Sequence, residues 1–507
     1  MRVLQSSEMK EMDRKTIEEL GIPSRVLMER AGVSVVLSMQ QELQDLTDLS
    51  FVVVVGKGNN GGDGLVVART LLDFSPNVTA ILLTRDLKGN PLENLKVFEK
   101  LGGETLVLEE DIDFTAFESI LMSTDVIVDA LLGIGLKGEV KNPISHIIDV
   151  INSSPAYKVC IDISSGIDSD TGKVMGKATK CDLTVTFAAP KIGHVLYPGR
   201  EYTGKLKVAS IGIPKILLET EEKGRFILGE QYISSILPIR VADSNKGTFG
   251  KVGIVAGSKL YTGAPVLTAL GAMRSGCGLT FLLVPENFNT VATSNFPEII
   301  SIPIKSCDGL FCKDSIAELL NYLDNVDVVA IGPGLSRKDA VSKVVNEIVK
   351  LEKPMVIDAD GINNLDLSVL KERSSDTVLT PHPGELARLL GKNVEEVKYN
   401  YKLAEEFAKK RGCVLVLKSA TTIITDGETT YFNLTGNNAL AKGGSGDVLT
   451  GMIASFMAQG LLPLDAAAAG VYIHGLTANL YRGDPASMLP SEIANLLPQA
   501  LQKLRKK

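Results

Sequence analysis

Short, unbroken apolar runs recur along this chain with helix-like stretches between them, and that alternation limits its possible folds more than any other feature. In the first half the runs are Phe51–Val55, Val78–Leu83, Val126–Val128, Val159–Ile163 and Leu183–Phe187. Stretches such as Leu65–Leu72 and Ile144–Ile151 fall between several of them. Strands apolar on both faces belong to a mostly parallel sheet covered by helices on both sides. Two helices over residues 5–44 are expected to precede that sheet. The second half restarts the alternation at Val252–Val255, Leu279–Val284, Val326–Ile331, Met355–Ile357, Val378–Leu379 and Val414–Leu417. Asp426-Gly427, between Ile423–Thr425 and Thr430–Phe432, signals a hairpin. Three helices, Val448–Gln459, Ala466–Tyr481 and Ile493–Leu504, are expected at the end.

The break between the halves is the charged run Glu219–Arg225, which carries little to bury. A boundary near Lys215 to Arg225 gives domains over 1–215 and 225–507. The chain's 507 residues exceed what one hydrophobic core usually organises, and a 45% hydrophobic, 22% charged composition is ordinary for two. A net charge of -7 without a lysine or arginine run argues against nucleic acid as the main partner. The N-terminus lacks a secretory apolar region, and no stretch of about 18 apolar residues suggests a membrane span. A cytoplasmic protein is expected. In that compartment the six scattered cysteines (Cys160, Cys181, Cys277, Cys307, Cys312, Cys413) read as reduced, buried thiols.

Gly443-Gly444-Ser445-Gly446-Asp447 lies just before an apolar helix beginning near Val448. Glycines let the backbone turn sharply and approach a ligand, and free N–H groups at a helix start attract an anion. Three glycines within four residues exceed what a cap requires. The loop is therefore expected to hold phosphate, with Asp447 accepting the proton of an attacking hydroxyl. A plain N-cap is the simpler role for the same aspartate. Ala264 and Gly334 are small residues in loop settings after strands, where a flat ligand can approach. His382 stands between two prolines, a rigid frame for a polar contact, although a lone histidine is more often structural. Glu385 suits either magnesium or an ordinary acidic first helical turn.

In the first half, Gly56-Lys57-Gly58-Asn59-Asn60-Gly61 matches the dinucleotide fingerprint literally, as does Gly133-Ile134-Gly135-Leu136-Lys137-Gly138. Two matches in one domain weaken the pattern. The acidic partner expected about 20 residues on is also unconvincing, since Asp86 follows Arg85 beyond the next strand, so an NAD-dependent oxidoreductase is disfavoured. The polar residues say more. Asn59, Asn60 and Asp63 sit in the first loop, Asp129 at one strand end, and Asp162, Ser164 and Ser165 at another. Three strand ends of a parallel sheet converge on one crevice. A pocket rich in carboxylate and amide oxygens suits a polar ligand and an alkali cation; separate turn-formers and caps are the plainer reading.

Taken together, these motifs carry a resemblance. The Gly443–Asp447 loop with its helix resembles the anion hole and catalytic aspartate of ribokinase-like enzymes. Thr380-Pro381-His382-Pro383-Gly384-Glu385, Ile331-Gly332-Pro333-Gly334 and Asn437-Asn438, with that loop, resemble the NAD(P)H-hydrate dehydratases over roughly residues 229–504. The strand-end constellation of the first half resembles the NAD(P)H-hydrate epimerases over roughly residues 5–213, with Ser164 where that family usually has proline. The resemblance implies an α/β protein: a Rossmann-like three-layer domain followed by a ribokinase-like domain. It implies that Asn59, Asn60, Gly61, Gly62 and Asp63, then Gly133, Ile134, Gly135, Leu136, Lys137, Gly138 and Glu139, and Asp162 carry the ligand of the first half. Asn60, Asp129 and Ser165 would bind potassium.

In the second half, Ala264, Gly334, His382 and Asp447 would face the hydrated nicotinamide by the same resemblance. Lys418, Ser419, Ala420, Thr421 and Thr422 would lie along the nucleotide, and Gly443, Gly444, Ser445 and Gly446 would meet its phosphate. The implied activities are epimerisation of the R and S forms of hydrated NADH and NADPH, and dehydration of the S form by phosphoryl transfer with ADP and magnesium, in a homo-oligomer. ADP as donor comes from the resemblance alone. Asp162 is expected to shuttle the proton in the first half, because Asp129 suits the cation. A small-molecule kinase of the ribokinase-like class, with an N-terminal ligand- or protein-binding module, shares the loop and Asp447 and stays open at this level.

Overall fold

Every apolar run of the first half becomes a strand. The seven strands are β1 (Phe51–Val55), β2 (Val78–Leu82), β3 (Glu104–Val107), β4 (Val126–Ala130), β5 (Tyr157–Ile161), β6 (Leu183–Phe187) and β7 (Lys205–Ala209). All pair in parallel, in the order β3-β2-β1-β4-β5-β6-β7. Alternate residues enter opposite layers. Val53 and Val55 pack with Val35 and Leu65, from the helices Ser24–Leu43 and Asn59–Leu71. Val52 and Val54 pack with Phe117 and Ile147, from the helices Phe114–Ser123 and Ile144–Ser153. The strand order reverses between β1 and β4, and at such a point the loops part and leave a crevice beyond the carboxyl ends. Of the two expected N-terminal helices, the first is Ser6–Arg14 continued by a π-helical turn at Lys15–Glu19.

The structure, a computed structural model, describes residues 1–108, 110–219, 223–288 and 296–505. It divides into two compact units, Met1–Glu222 and Lys223–Lys507. The strands of the second unit are β8 (Gly224–Ile227), β9 (Lys251–Val255), β10 (Leu279–Pro285), β11 (Ile300–Ile304), β12 (Val328–Ile331), β13 (Met355–Ile357), β14 (Thr377–Leu379), β15 (Val414–Leu417), β16 (Thr422–Thr425) and β17 (Thr429–Asn433). They form one sheet in the order β11-β10-β9-β12-β13-β14-β15-β16-β17-β8. β11 to β15 run parallel, and the expected hairpin adds β16 and β17 antiparallel. Asp426 Oδ1 closes its turn by accepting from the N–H groups of Glu428 and Thr429.

Helices Gly263–Ser275 and Ser445–Ala458 cross with almost no side chain between them. A Cβ on Gly451 would lie 1.9 Å from the Thr268 carbonyl, and one on Gly271 would lie 2.2 Å from the Val448 carbonyl. Helices Pro463–Leu480 and Pro490–Arg505 join them in a core rich in alanine and leucine. None of the helices described is long and apolar enough to cross a membrane.

Two expectations are corrected. Strands β3, β7, β8 and β11 lacked a clear sequence signal because they lie at sheet edges and are only partly buried: Glu104, Lys207 and Arg225 occupy three of them, and Ser301 and Pro303 interrupt the fourth. Four cysteines are also not free thiols: Cys160 pairs with Cys181 and Cys307 with Cys312. Cys160 lies on β5, and Cys181 just precedes its neighbour β6. Pairing of those strands brings their Cα atoms to 6.0 Å, and the tight turn closed by the Cys307 and Leu310 bridge brings the second pair to 5.9 Å. Both spacings suit a disulfide. Cys277 and Cys413 are free, and burial pushes the Cys413 thiol up to about 12.

Candidate functional site

In the first unit a cavity of about 880 Å³ lies at the β1/β4 crevice. Asn59, Asn60, Asp63, Gly133, Ile134, Gly135, Leu136, Lys137 and Asp162 all line it. Gly61, Gly62, Gly138 and Glu139 are outside its wall. Gly61 packs where a Cβ would meet the Gly56 carbonyl at 1.9 Å, Gly62 faces Met28 and Pro91, and Glu139 is exposed. Asp86, which lies beyond the second strand, is exposed and paired with Lys57 at 3.2 Å.

Asp162 follows β5 with a φ of 62°, a left-handed conformation that is costly for a non-glycine residue and is typical of over-determined functional sites. What fixes it is a set of groups that the sequence reading missed. Lys191 Nζ, itself 1% exposed, lies 2.5 Å from Asp162 Oδ1, and the Thr186 hydroxyl donates to the same oxygen at 2.9 Å. The Asp162 carbonyl meets His194 Nε2 at 2.9 Å, while Nδ1 of that ring accepts from the Lys191 N–H. Burial alone would push the Asp162 carboxyl up, but the Lys191 ammonium and the bonds from Lys191 and Thr186 hold it below its ordinary range. Burial and the same ammonium push His194 down to about 4, so the ring is neutral and Nε2 is the donor. The missed signal was Lys191 and His194 directly after an apolar strand and Pro190, at the carboxyl end of β6.

Asp129 is 1% exposed at the end of β4. Its Oδ1 accepts from the Ser165 hydroxyl at 2.6 Å, and its Oδ2 from the Ser165 N–H at 3.1 Å. The Leu132 N–H donates to Ser165 Oγ, and Asn60 Nδ2 donates to the Leu132 carbonyl at 3.0 Å. Asn60, Asp129 and Ser165 are therefore tied together through Leu132, and their donors are carboxylate, hydroxyl, amide and carbonyl oxygens. Ser164, the departure from proline, donates to the Tyr202 carbonyl at 3.0 Å.

In the second unit Gly444 turns the chain with a φ of 99°, and the helix begins at Ser445, so Asp447 lies in its first turn. His474 Nε2 meets the Ser445 carbonyl at 2.9 Å and pins the loop, while Ser445 Oγ is buried without a hydrogen-bond partner. A Cβ on Gly446 would lie 3.3 Å from Lys418 Nζ, so the missing side chain leaves the ammonium and the helix start facing one another. Lys418 pairs with Asp358 at 2.6 Å. The hydroxyls of Thr380 and Thr450 also donate to that carboxylate, each at 2.7 Å. Asp447 accepts no hydrogen bond among the described residues. Burial first, then the Asp358 carboxylate, pushes its carboxyl up to about 7, against the pull of Lys418.

His382 is the N-cap of helix Pro383–Leu390. Its Nδ1 accepts from the Gly384 and Glu385 N–H groups, and Glu385 Oε2 accepts from the His382 N–H at 2.8 Å. Its structural role is thus real, and half of the side chain stays exposed. Gly334, with a φ of 69°, and Ala264 are neighbours: a Cβ on the glycine would lie 3.2 Å from that of Ala264. In the Lys418–Thr422 turn the Ser419 hydroxyl donates to the Thr421 carbonyl, Ala420 is exposed, and Thr421 is fully buried. Asp358 was missed by sequence reasoning, yet Asp358-Ala359-Asp360 ends β13 as Asp162 ends β5, and Ala359 too is left-handed at a φ of 47°.

Comparison with known proteins decides the family. A bifunctional NAD(P)H-hydrate repair enzyme from Moorella thermoacetica is 40% identical over 517 aligned residues, covering 99% of this chain and 97% of its own. The chain belongs to the bifunctional NAD(P)H-hydrate repair enzyme family. A relative of the same description from Escherichia coli is 35% identical, covering 92% of this chain and 87% of its own. A family model described as NAD(P)H-hydrate dehydratase matches residues 252–499, and one described as YjeF-related protein N-terminus matches residues 24–193. Among solved structures, a ribokinase-like superfamily protein from Enterococcus faecalis superposes with a TM-score of 0.50 at 26% identity, covering 56% of this chain and 97% of its own. The second unit has the ribokinase-like fold.

Proposed function

We propose that the first unit interconverts the R and S forms of hydrated NADH and NADPH, and that the second dehydrates the S form. In the hydrate, C6 of the ring bears a hydroxyl and is bonded to the ring nitrogen. In the first unit the nitrogen lone pair expels the hydroxyl, water returns on the other face, and Asp162 faces the ring cation formed between. The oxygen set of Asn60, Asp129 and Ser165 fits potassium, a hard cation that also lowers the cost of two buried carboxylates near one ligand. The β1 and β4 loop residues on the cavity wall carry the dinucleotide.

Dehydration is harder because hydroxide leaves poorly. Phosphorylating the hydroxyl makes a good leaving group, and elimination restores the ring double bond. Asp447 takes the proton of the attacking hydroxyl, and the helix start at Ser445–Gly446, with Lys418, stabilises charge on the moving phosphoryl group. The orphaned Ser445 hydroxyl is placed to donate a hydrogen bond to a phosphate oxygen. Ala264, Gly334 and His382 seat the ring, and the Lys418–Thr422 turn runs along the nucleotide. Glu385 Oε1, with phosphate oxygens, would hold magnesium, which neutralises phosphate charge.

The observation that carries this reading is Asp447: a carboxyl that burial pushes up to about 7, accepting no hydrogen bond among the described residues, beside the opening at Gly446. The test is incubation of mixed NADH hydrate epimers with magnesium and ADP or ATP. Free phosphate and full return of the absorbance of the reduced ring are expected, with ADP as the donor. A stable phosphorylated product would make the second unit a small-molecule kinase instead.

A further inference from the structure

One wall of the first cavity comes from the N-terminal helix. The helix Ser6–Arg14 sends Met9, Asp13 and, one π-helical turn later, Ile17 into the cavity. π-helical turns are rare and recur at functional sites. The segment is anchored at the reacting end of the sheet. The Leu4 N–H donates to the Pro190 carbonyl at 2.9 Å, one residue from Lys191, and the N–H and hydroxyl of Ser6 both donate to the Asp170 carboxylate. Asp13 is thereby held in the field of Lys191 and Asp162.

The carboxylates of this cavity differ in their partners. Asp162 accepts from Lys191, Thr186 and the Phe187 N–H through one oxygen, Oδ1, and the Lys191 ammonium beside it favours the ionised form. Among the described residues, neither Asp13 nor Asp63 receives a hydrogen bond or an ion pair. We propose that Asp13 and Asp63 are the base and the acid of epimerisation, and that Asp162 is a fixed anion rather than the proton shuttle. This rests on the epimerase reading of the first unit. In the forward step the C6–O bond breaks as the nitrogen lone pair forms a C6=N bond, and the departing oxygen takes the proton of the Asp63 carboxyl and leaves as water. A second water bonds to C6 on the opposite face, its proton goes to the Asp13 carboxylate, and the C6=N pair returns to nitrogen. Exchange with solvent resets both groups, and the reverse direction uses them in exchanged roles. Burial pushes both carboxyls up, Asp13 to about 6; at Asp63 the charges of Asp162 and Asp13 push the same way as its burial. The other charges facing Asp13 across the cavity are Lys10 on its own helix, Lys57 after β1, Lys137 after β4, and Asp162 with Lys191 after β5 and β6.

The experiment follows epimerisation by the full-length chain, with dehydration supplied in excess and the spontaneous rate subtracted, as a function of pH. Wild type should lose kcat/KM as pH falls through about 6, where Asp13 takes up a proton. Asp13→Asn should lower the rate about 10²–10⁴-fold and abolish that acid limb. Asp13→Glu should recover part of the rate and keep a limb at shifted pH, which guards against a variant that merely misfolds. A wild-type profile without the limb would overturn the proposal, as would an Asp13→Asn variant that is slower but keeps the limb in place. Absence of epimerisation in wild type would instead sink the epimerase reading itself.

Discussion

A carboxyl poised near neutrality reports on itself through pH. Asp447 must be ionised to act as a base, so kcat/KM for dehydration should rise with pH through about 7. Asp447→Asn should remove at least the ~10²–10⁴-fold a general base contributes, while epimerisation persists. Stability should move the other way. The folded state keeps this proton up to about 7, whereas the unfolded chain releases it in the ordinary carboxylate range, so ionisation destabilises the fold as pH rises across that window. Thermal unfolding of Asp447→Asn should gain on wild type through the window and level off above it; a constant difference at all pH would mean the carboxyl is not perturbed. At the other site, Lys191→Met leaves the Asp162 carboxylate enclosed without its cation. Urea unfolding should show a loss of about 3–5 kcal/mol. Asp447 was legible in the sequence because its loop is local, four neighbours in a row. Lys191 and Asp358 were not, because their partners are distant: Asp358 meets Lys418 across 60 residues and Thr450 across 92. Asp13 was not, because only the fold brings its helix to the wall of the cavity.

Elements fix where such residues can stand, and glycine shows it at the Ser445–Ala458 helix. Gly446 sits in the first turn with an ordinary helical backbone, and a methyl group there would intrude only on the space in front of Lys418. Gly446→Ala should leave the unfolding temperature unchanged or slightly raised, as alanine favours a helix, and weaken nucleotide binding at least about tenfold by titration calorimetry. Gly451→Ala meets backbone instead, at 1.9 Å, and should separate the two crossing helices and lower stability sharply. Unaltered affinity in the first variant would place the phosphate elsewhere. The central strands were readable because both their faces are buried and their residues are nearly all apolar. The edge strands were not, since half-exposed positions accept lysine and glutamate and look like linker.

At the scale of the whole molecule, β8 is the clearest case of that confusion. The charged run read as a connection between domains ends inside a strand: Arg225 belongs to β8, pairs with β17 and bonds Glu405 through two nitrogens. Severing the chain after Glu219 should therefore yield two soluble fragments, the first epimerising and the second dehydrating. Severing it after Gly229 should give a second fragment lacking its edge strand and less stable to heat. Equal stability of the two C-terminal fragments would show that β8 contributes nothing.

On the proposed mechanism, the buried lysine behind Asp162 decides where solvent reorganisation falls in the catalytic cycle. In water, a ring that becomes cationic must wait for surrounding dipoles to turn toward it, and they must turn back when water adds. Here the anion, its ammonium, the Thr186 hydroxyl and the His194 ring are locked at a left-handed strand end before any ligand arrives. The work of stripping water from these charges is done once, during folding, and not at each turnover. The protein meets the cation as a solvation shell already frozen in place.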